Sequence, residues 1–255
     1  MKKPKWWMTW IFVIVLVGIF LSSGTFAQET IVMAVDGNWP PMKIKDADGN
    51  LIGYEIDMIK AISTEGGFQI KITEVPWKDI FRELDAGKFD AIMASVSITD
   101  ERKARFDFSV PYFSAEQLLV VPKSAVKKSY KGKTIAAFET TTGAAALRKA
   151  ELVTVRSYLS TETTKAFDDL AAGRIDGILC DTPVAVNYAF FRDTYKGRFA
   201  IDSELSILGT PSVSEEYGIV VKKGNAEVLN QINRGIKAVK AKEIDYEIRA
   251  RWIKW

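Results

Sequence analysis

Phe81–Ile92 reads FRELDAGKFDAI, and Phe167–Ile178 reads FDDLAAGRIDGI. Both fit F-x-x-L-x-A-G-[KR]-[FI]-D-[AG]-I, at an offset of 86 residues. Each predicts a helix stopped by glycine at its carboxyl end and followed by a short buried strand. The offset is too long for a solenoid, whose repeats run to about 20–50 residues, and it fits two similar α/β lobes. One helix-glycine-strand idiom used twice within a single domain is the alternative. Upstream, Thr30–Asp36 (TIVMAVD) is β-rich and Gly37–Pro41 (GNWPP) reads as a loop, because a proline pair does not continue a ladder. Asp48-Gly49-Asn50 marks a turn. Glu55–Thr64 then places Met58, Ile59 and Ile62 on one helical face, Gly66-Gly67 ends that helix, and Phe68, Ile70 and Ile72 alternate as a strand. Alternating strand and helix patterns define the expected class as α/β.

The repeat also points at a site. Ser95 and Asp181 stand at equivalent positions, each where a strand's carboxyl end opens into a loop. Ligands of open parallel sheets bind in the crevice outside those ends. Two lobes that each present a polar residue there suggest a ligand held between them.

Composition removes several functions. The 255 residues hold 35 Lys+Arg, 32 Asp+Glu, no histidine and one cysteine, Cys180. That excludes Ser-His-Asp and Cys-His catalysis, histidine-ligated zinc, an intrachain disulfide and a thiolate cluster. Residues 1–27 carry Lys2, Lys3 and Lys5, an apolar run from Trp6 to Leu21 and Thr25-Phe26-Ala27, the layout of a secretory signal peptide. An uncleaved anchor is the alternative, although the run is short for a span of ~20 residues. No cysteine near its end supports a lipid anchor. Without this segment bases and acids balance at 32 each, so no nucleic-acid partner is expected, since such affinity rests on clustered Lys and Arg. A domain of the remaining size holds together without disulfides. No G-x-G-x-x-G, P-loop or G-x-S-x-G occurs, and no cofactor is expected.

Candidate binding residues cluster after the strands. Ser95, Ser97 and Thr99 precede Arg102. A guanidinium grips a carboxylate through two parallel hydrogen bonds, and hydroxyls complete its shell; Thr99 as a helix cap with Arg102 as a surface cation fits equally well. Thr140-Thr141-Thr142-Gly143 precedes Ala144–Leu147, where amides at a helix start attract anions or the threonines are ordinary caps. Asp181 follows Ile178-Leu179-Cys180; an acid there needs a partner such as an ammonium, or caps the helix that starts near Pro183. Asp36 reads the same way. Trp39 and Trp77 lie beside prolines and either wall a small-ligand pocket or simply pack. Cys180 reads as a small buried residue. The lysines at 123, 127, 128, 131 and 133 read as a solvated connection.

The pattern resembles the periplasmic polar amino-acid binding proteins, the type II solute-binding proteins of ABC importers. The resemblance spans nearly all of residues 29–255. It is carried by Val35-Asp36 through Trp39-Pro40-Pro41, Gly49–Asp57, Ala86–Ile92, Ser97–Arg102 with Phe106–Ser109 and Pro111-Tyr112, and, closest to glutamine-binding members, Asp181-Thr182-Pro183 and Glu216–Ile219. Thr140 departs from it, standing where the family often has glycine, and Asp202–Ser214 looks long.

The resemblance implies a fold and a site. Two α/β lobes would be joined by a two-strand hinge. Lobe 1 would be residues 28–115 plus 218–255 and lobe 2 residues 116–217, with crossings near Ala115–Gln117 and Glu216–Gly218. Val228–Trp252 reads as helical and would return to lobe 1. Arg102, Ser97, Thr141 and Thr142 would hold a ligand α-carboxylate. Ser95 and Asp181 would take its ammonium, Trp39 and Trp77 would flank the side chain, and Asp36 would reach its polar tip.

The implied protein is an exported monomer in the periplasm that traps a free amino acid and passes it to an ABC transporter permease. A dehydratase of prephenate or arogenate on the same scaffold is the rival, but Thr182–Arg192, where its acid would be sought, contains no acid before Asp193. A receptor sensor domain is a further alternative.

Overall fold

The computed structural model describes residues 30–126, 129–202 and 214–254. The segment read as a signal peptide, the lysines at 127 and 128, and nearly all of the long stretch between Asp202 and Ser214 lie outside them. β1 (Thr30–Val35) leads through a small hairpin, β2 (Ile44–Lys45) and β3 (Leu51–Ile52), into α1 (Tyr54–Gly66) and β4 (Gln69–Glu74). α2 (Trp77–Asp85), β5 (Ala91–Ile92), α3 (Asp100–Arg105) and β6 (Phe106–Phe108) follow. The chain then passes through the long β7 (Phe113–Pro122) to β8 (Thr134–Phe138), α4 (Thr142–Ala150), β9 (Thr154–Tyr158), α5 (Thr163–Ala171) and β10 (Gly177–Asp181). α6 (Thr182–Val186), β11 (Phe199–Asp202), β12 (Ser214–Tyr217), β13 (Val220–Lys222), α7 (Ala226–Ala241) and α8 (Ile244–Trp252) complete it.

Two sheets form two lobes. The first runs β4-β1-β5-β13-β6, and the second β11-β7-β10-β8-β9. β1 is parallel to β4 and β5, and β10 and β9 are parallel to β8. β7 joins the two halves. Its first residues pair with β12, from Phe113↔Tyr217 to Glu116↔Ser214, and its later ones lie in the second sheet against β10 and β11. A two-strand ribbon therefore connects the lobes.

The repeated motif makes the same structure twice. Ala86 and Ala172 end α2 and α5, and Gly87 and Gly173 each adopt φ 71°, a conformation that costs a residue with Cβ. The following backbone amides close the same pattern: Lys88 onto Glu83 at 3.1 Å, and Arg174 onto Asp169 at 2.9 Å. The invariant aspartate of each copy then clamps the neighbouring strand. Asp90 accepts from the Val32 amide at 2.8 Å, and Asp176 from the Thr134 amide at 2.9 Å. Strand ends β5 and β10 are thereby fixed in equivalent places, and all five residues of β10 are buried.

A buried charge cluster fixes the loops of lobe 1. Lys43 is fully buried, with Nζ 2.5 Å from Glu55 Oε2 and 3.3 Å from Asp36 Oδ1. Burial works against its ammonium, but Glu55 and Asp36 outweigh it and hold the group above the ordinary lysine range. The other oxygen of Glu55, Oε1, accepts from the Ser95 amide (2.7 Å), the Ser95 hydroxyl (3.0 Å) and the Tyr112 hydroxyl. Glu55 sits in the first turn of α1, where the helix dipole favours an acid. Ser95 takes φ 53°, and its two bonds to Glu55 offset the strain of that conformation.

The carboxyl-terminal region is two helices, where periodicity predicts one. α7 ends at Ala241, and Glu243 turns the chain with φ 57° before α8. Both helices return to lobe 1: Arg251 and the Trp252 indole N–H bind Asp57 of α1 at 2.8 Å, and Gly235 packs directly on it.

Two substitutions test these contacts by urea unfolding. Lys43→Met leaves Glu55 buried without its counter-charge and is expected to cost about 3–5 kcal/mol. A Cβ on Gly235 would lie 2.2 Å from the Ile62 carbonyl oxygen. Gly235→Ala is therefore expected to destabilise by about 1–3 kcal/mol, despite a helix-propensity gain of about 1 kcal/mol.

Candidate functional site

All nine residues singled out in the sequence line one cavity of about 380 Å³, mouth included: Asp36, Trp39, Trp77, Ser95, Ser97, Arg102, Thr141, Thr142 and Asp181, with Ala94 and Ser160. Most sit at the edge of an element. Asp36 follows β1, Ser95 and Ser97 follow β5, Trp77 opens α2 and Arg102 rides on α3. From the other lobe, Thr141 and Thr142 open α4 and Asp181 ends β10. An outer chamber shares Asp36, Trp77 and Ser160 with the cavity and adds Glu74, Lys78 and Glu139. The lobes meet around it. Trp39 stands edge-on to Phe138 with ring centres 5.0 Å apart, and Asn38 Nδ2 donates to the Thr161 carbonyl at 3.2 Å.

Arg102 is positioned from several sides. Its Nη1 donates to the Ser97 carbonyl at 2.9 Å, and the guanidinium lies 5.7 Å over the Trp77 ring and 5.5 Å over Phe81. Burial pulls its pKa below the ordinary arginine value, while Glu215 and Asp181 pull it back. Thr99 does cap α3, accepting from the Arg102 amide at 3.2 Å, so the cap reading and the placement of Arg102 at the cavity hold together. Thr141 likewise caps α4 through the Ala144 amide at 3.2 Å, whereas Thr142 turns its hydroxyl to Glu215 at 2.9 Å. Thr140 takes φ 58°, uncommon for a β-branched residue; glycine would adopt it without strain.

Asp181 does not cap α6, contrary to one of its two sequence readings: its side chain makes no cap hydrogen bond. The carboxylate instead accepts from Gln117 Nε2 at 2.5 Å and from the Tyr217 hydroxyl. Its pKa is raised to about 6, first by burial and then by the Glu215 charge, while Tyr217, Gln117 and Arg102 oppose the rise. Asp36 is 5% exposed and its pKa is also raised by burial, with Lys43 pulling it down. Asp36 Oδ1 is within ion-pair range of Lys43, and among the described residues neither it nor the buried indole N–H of Trp77 has a hydrogen-bond partner.

Sequence reasoning does not single out Ser160, Lys43, Glu55 or Glu215. The rule that finds Ser95 and Asp181, a polar residue just beyond a strand's carboxyl end, finds Ser160 when applied to β9. Lys43 and Glu55 carry no local signal. Glu215 adjoins the segment Glu216–Ile219, which carries part of the resemblance and contains Tyr217.

Residues 31–254 match the family of bacterial extracellular solute-binding proteins, family 3. The chain is 30% identical over 215 residues to the L-cystine-binding protein TcyJ of Escherichia coli strain K12, covering 82% of this chain and 77% of that protein. It is 32% identical over 216 residues to the ABC transporter glutamine-binding protein GlnH of Bacillus subtilis strain 168, covering 82% and 75%. An ancestral arginine-binding protein solved with glutamine superposes with a TM-score of 0.77 at 31% identity, over 89% of this chain and 99% of that one. With two linked α/β lobes, a polar cavity between them and a family match along almost the whole described length, the chain belongs to the bacterial extracellular solute-binding proteins, family 3.

Proposed function

We propose that the protein captures a free polar amino acid between its lobes and delivers it to an ABC importer, acting as a carrier and not as an enzyme. One observation carries this reading: a cation, Arg102, and a buried acid, Asp181, line the same small cavity from opposite lobes. A zwitterion answers both. Its α-carboxylate takes Arg102 through charge-assisted bonds, joined by Ser97 and by Thr141 and Thr142 at the start of α4, while its ammonium takes Asp181 and Ser95. The side chain runs between Trp39 and Trp77 towards Asp36. Lys43 already neutralises much of the Asp36–Glu55 pair, so Asp36 is best suited to accept from an uncharged donor such as a side-chain amide. Together with the glutamine-binding relative and the glutamine-bound neighbour, this favours glutamine.

The lobes are residues 28–115 with 218–255, and 116–217, hinged at the β7–β12 ribbon. Closure is favoured only by contacts that both lobes make with the ligand at once. The protein on this reading is a monomer exported to the periplasm, which the signal-like pattern of residues 1–27 and the extracellular character of the family support. The dehydratase reading is weaker, and absence of phenylpyruvate formation from prephenate and of phenylalanine formation from arogenate would dispose of it.

A thermal-shift screen against the twenty amino acids is expected to raise the melting temperature with a polar subset, glutamine foremost. In calorimetry Arg102→Ala should strand the ligand carboxylate at a cost of about 2–5 kcal/mol, a loss of about 30-fold or more in affinity. Unchanged affinity would refute the assignment. pH gives an independent check. The ligand ammonium favours ionised Asp181, so its pKa in the complex lies below the value of about 6 in the free protein. Affinity is therefore full above that pH and weakens by up to about tenfold per unit as pH falls below it. Asp181→Asn should bind weakly and lose this dependence.

A further inference from the structure

Glu215 stands on the hinge strand β12, paired with Ala115 of β7. Along that strand the residues alternate, and Glu215 and Tyr217 share the inward side while Ser214 and Glu216 are exposed. Tyr217 serves Asp181. Glu215 serves the opposite end of the site: one oxygen, Oε2, accepts from Ser97 Oγ at 2.5 Å and from Thr142 Oγ1 at 2.9 Å. These hydroxyls belong to different lobes, so a single carboxylate oxygen ties lobe 1 to lobe 2 from within the hinge.

A hydroxyl has one proton to donate. While Ser97 and Thr142 give theirs to Glu215, they turn lone pairs, not protons, to any other carboxylate. We propose that Glu215 is an internal rival of the ligand carboxylate, latching the two lobes together through Ser97 and Thr142 and surrendering both hydroxyls when an amino acid binds. The proposal rests on the carboxylate-binding role given above to these residues. Two consequences follow from the chemistry. The latch lowers ligand affinity, because binding must first break two bonds to an anion and then hold a second anion near it. It also biases the ligand-free protein towards the closed arrangement. A glutamine at 215 reverses the sense of the contact: its amide N–H groups donate to the hydroxyls, and the hydroxyl protons turn to the ligand.

Calorimetry with L-glutamine and L-arginine as probes compares wild type with Glu215→Gln, and small-angle scattering without ligand compares wild type with Glu215→Ala and Thr142→Val. Circular dichroism melting confirms that each variant is folded. Glu215→Gln is expected to tighten binding of whichever probe the wild type accepts by about fivefold or more, the scale of one hydrogen bond. Both latch-breaking variants are expected to have a larger radius of gyration than wild type, and either one suffices if the other fails to fold. Equal or weaker binding by Glu215→Gln, or unchanged dimensions in the latch-breaking variants, overturns the proposal. If the wild type binds none of the twenty amino acids, it is the carrier reading that fails, and the scattering comparison alone decides the latch.

Discussion

One hydrogen bond, made twice, sets the geometry on which everything else depends. Asp90 and Asp176, 86 residues apart, each accept a backbone amide of a neighbouring strand. A glycine in the left-handed region delivers each aspartate from the end of its helix, and the short strand that follows can then only emerge at the sheet's carboxyl edge. In one lobe that edge presents Ser95 and Ser97; in the other it presents Asp181. The sequence repeat is therefore a repeat of geometry, and the cleft is its product.

Around that frame the molecule balances charge with care for burial. An isolated ion in a protein interior is costly unless paired. Lys43 is paired with Glu55, and Glu55 in turn holds Ser95 in a conformation that serine rarely adopts. Asp181 is satisfied by Gln117 and Tyr217, and the hydroxyls of Ser97 and Thr142 by Glu215. The hinge strand β12 thus supplies a partner to both ends of the ligand grip. In the proposed binding mode a ligand that replaces those partners changes the bonding of β12, which would be a direct physical route from occupancy to lobe movement.

The fold class and the residues that gather at the cavity were legible because both follow local rules. A helix-glycine-strand pattern is written in consecutive residues, and a polar side chain after an apolar run marks a strand's open end. What was not legible depends on distance. Lys43 carries no signal in the sequence, since nothing nearby announces that Glu55 and Asp36 converge on it. Glu215 looks like one acid among two neighbours; only the pairing of β12 with β7 turns it inward while Glu216 faces solvent. The break between α7 and α8 lacks glycine and proline, so periodicity runs straight across Glu243. The two readings of Thr99 and Thr141, cap or site, were not true alternatives, because capping a helix beside the cavity is how each one helps to position it.

In the proposed carrier, opposite charges on two lobes recognise the two ends of a free zwitterion. Calorimetric titration with L-glutamine, its α-methyl ester and its N-acetyl derivative tests this most directly, because each derivative cancels one charge and leaves the side chain intact. The free amino acid is expected to bind tightly and either derivative to lose about 100-fold or more, as when a buried charged group loses its partner. A derivative that binds as well as the free amino acid would contradict it.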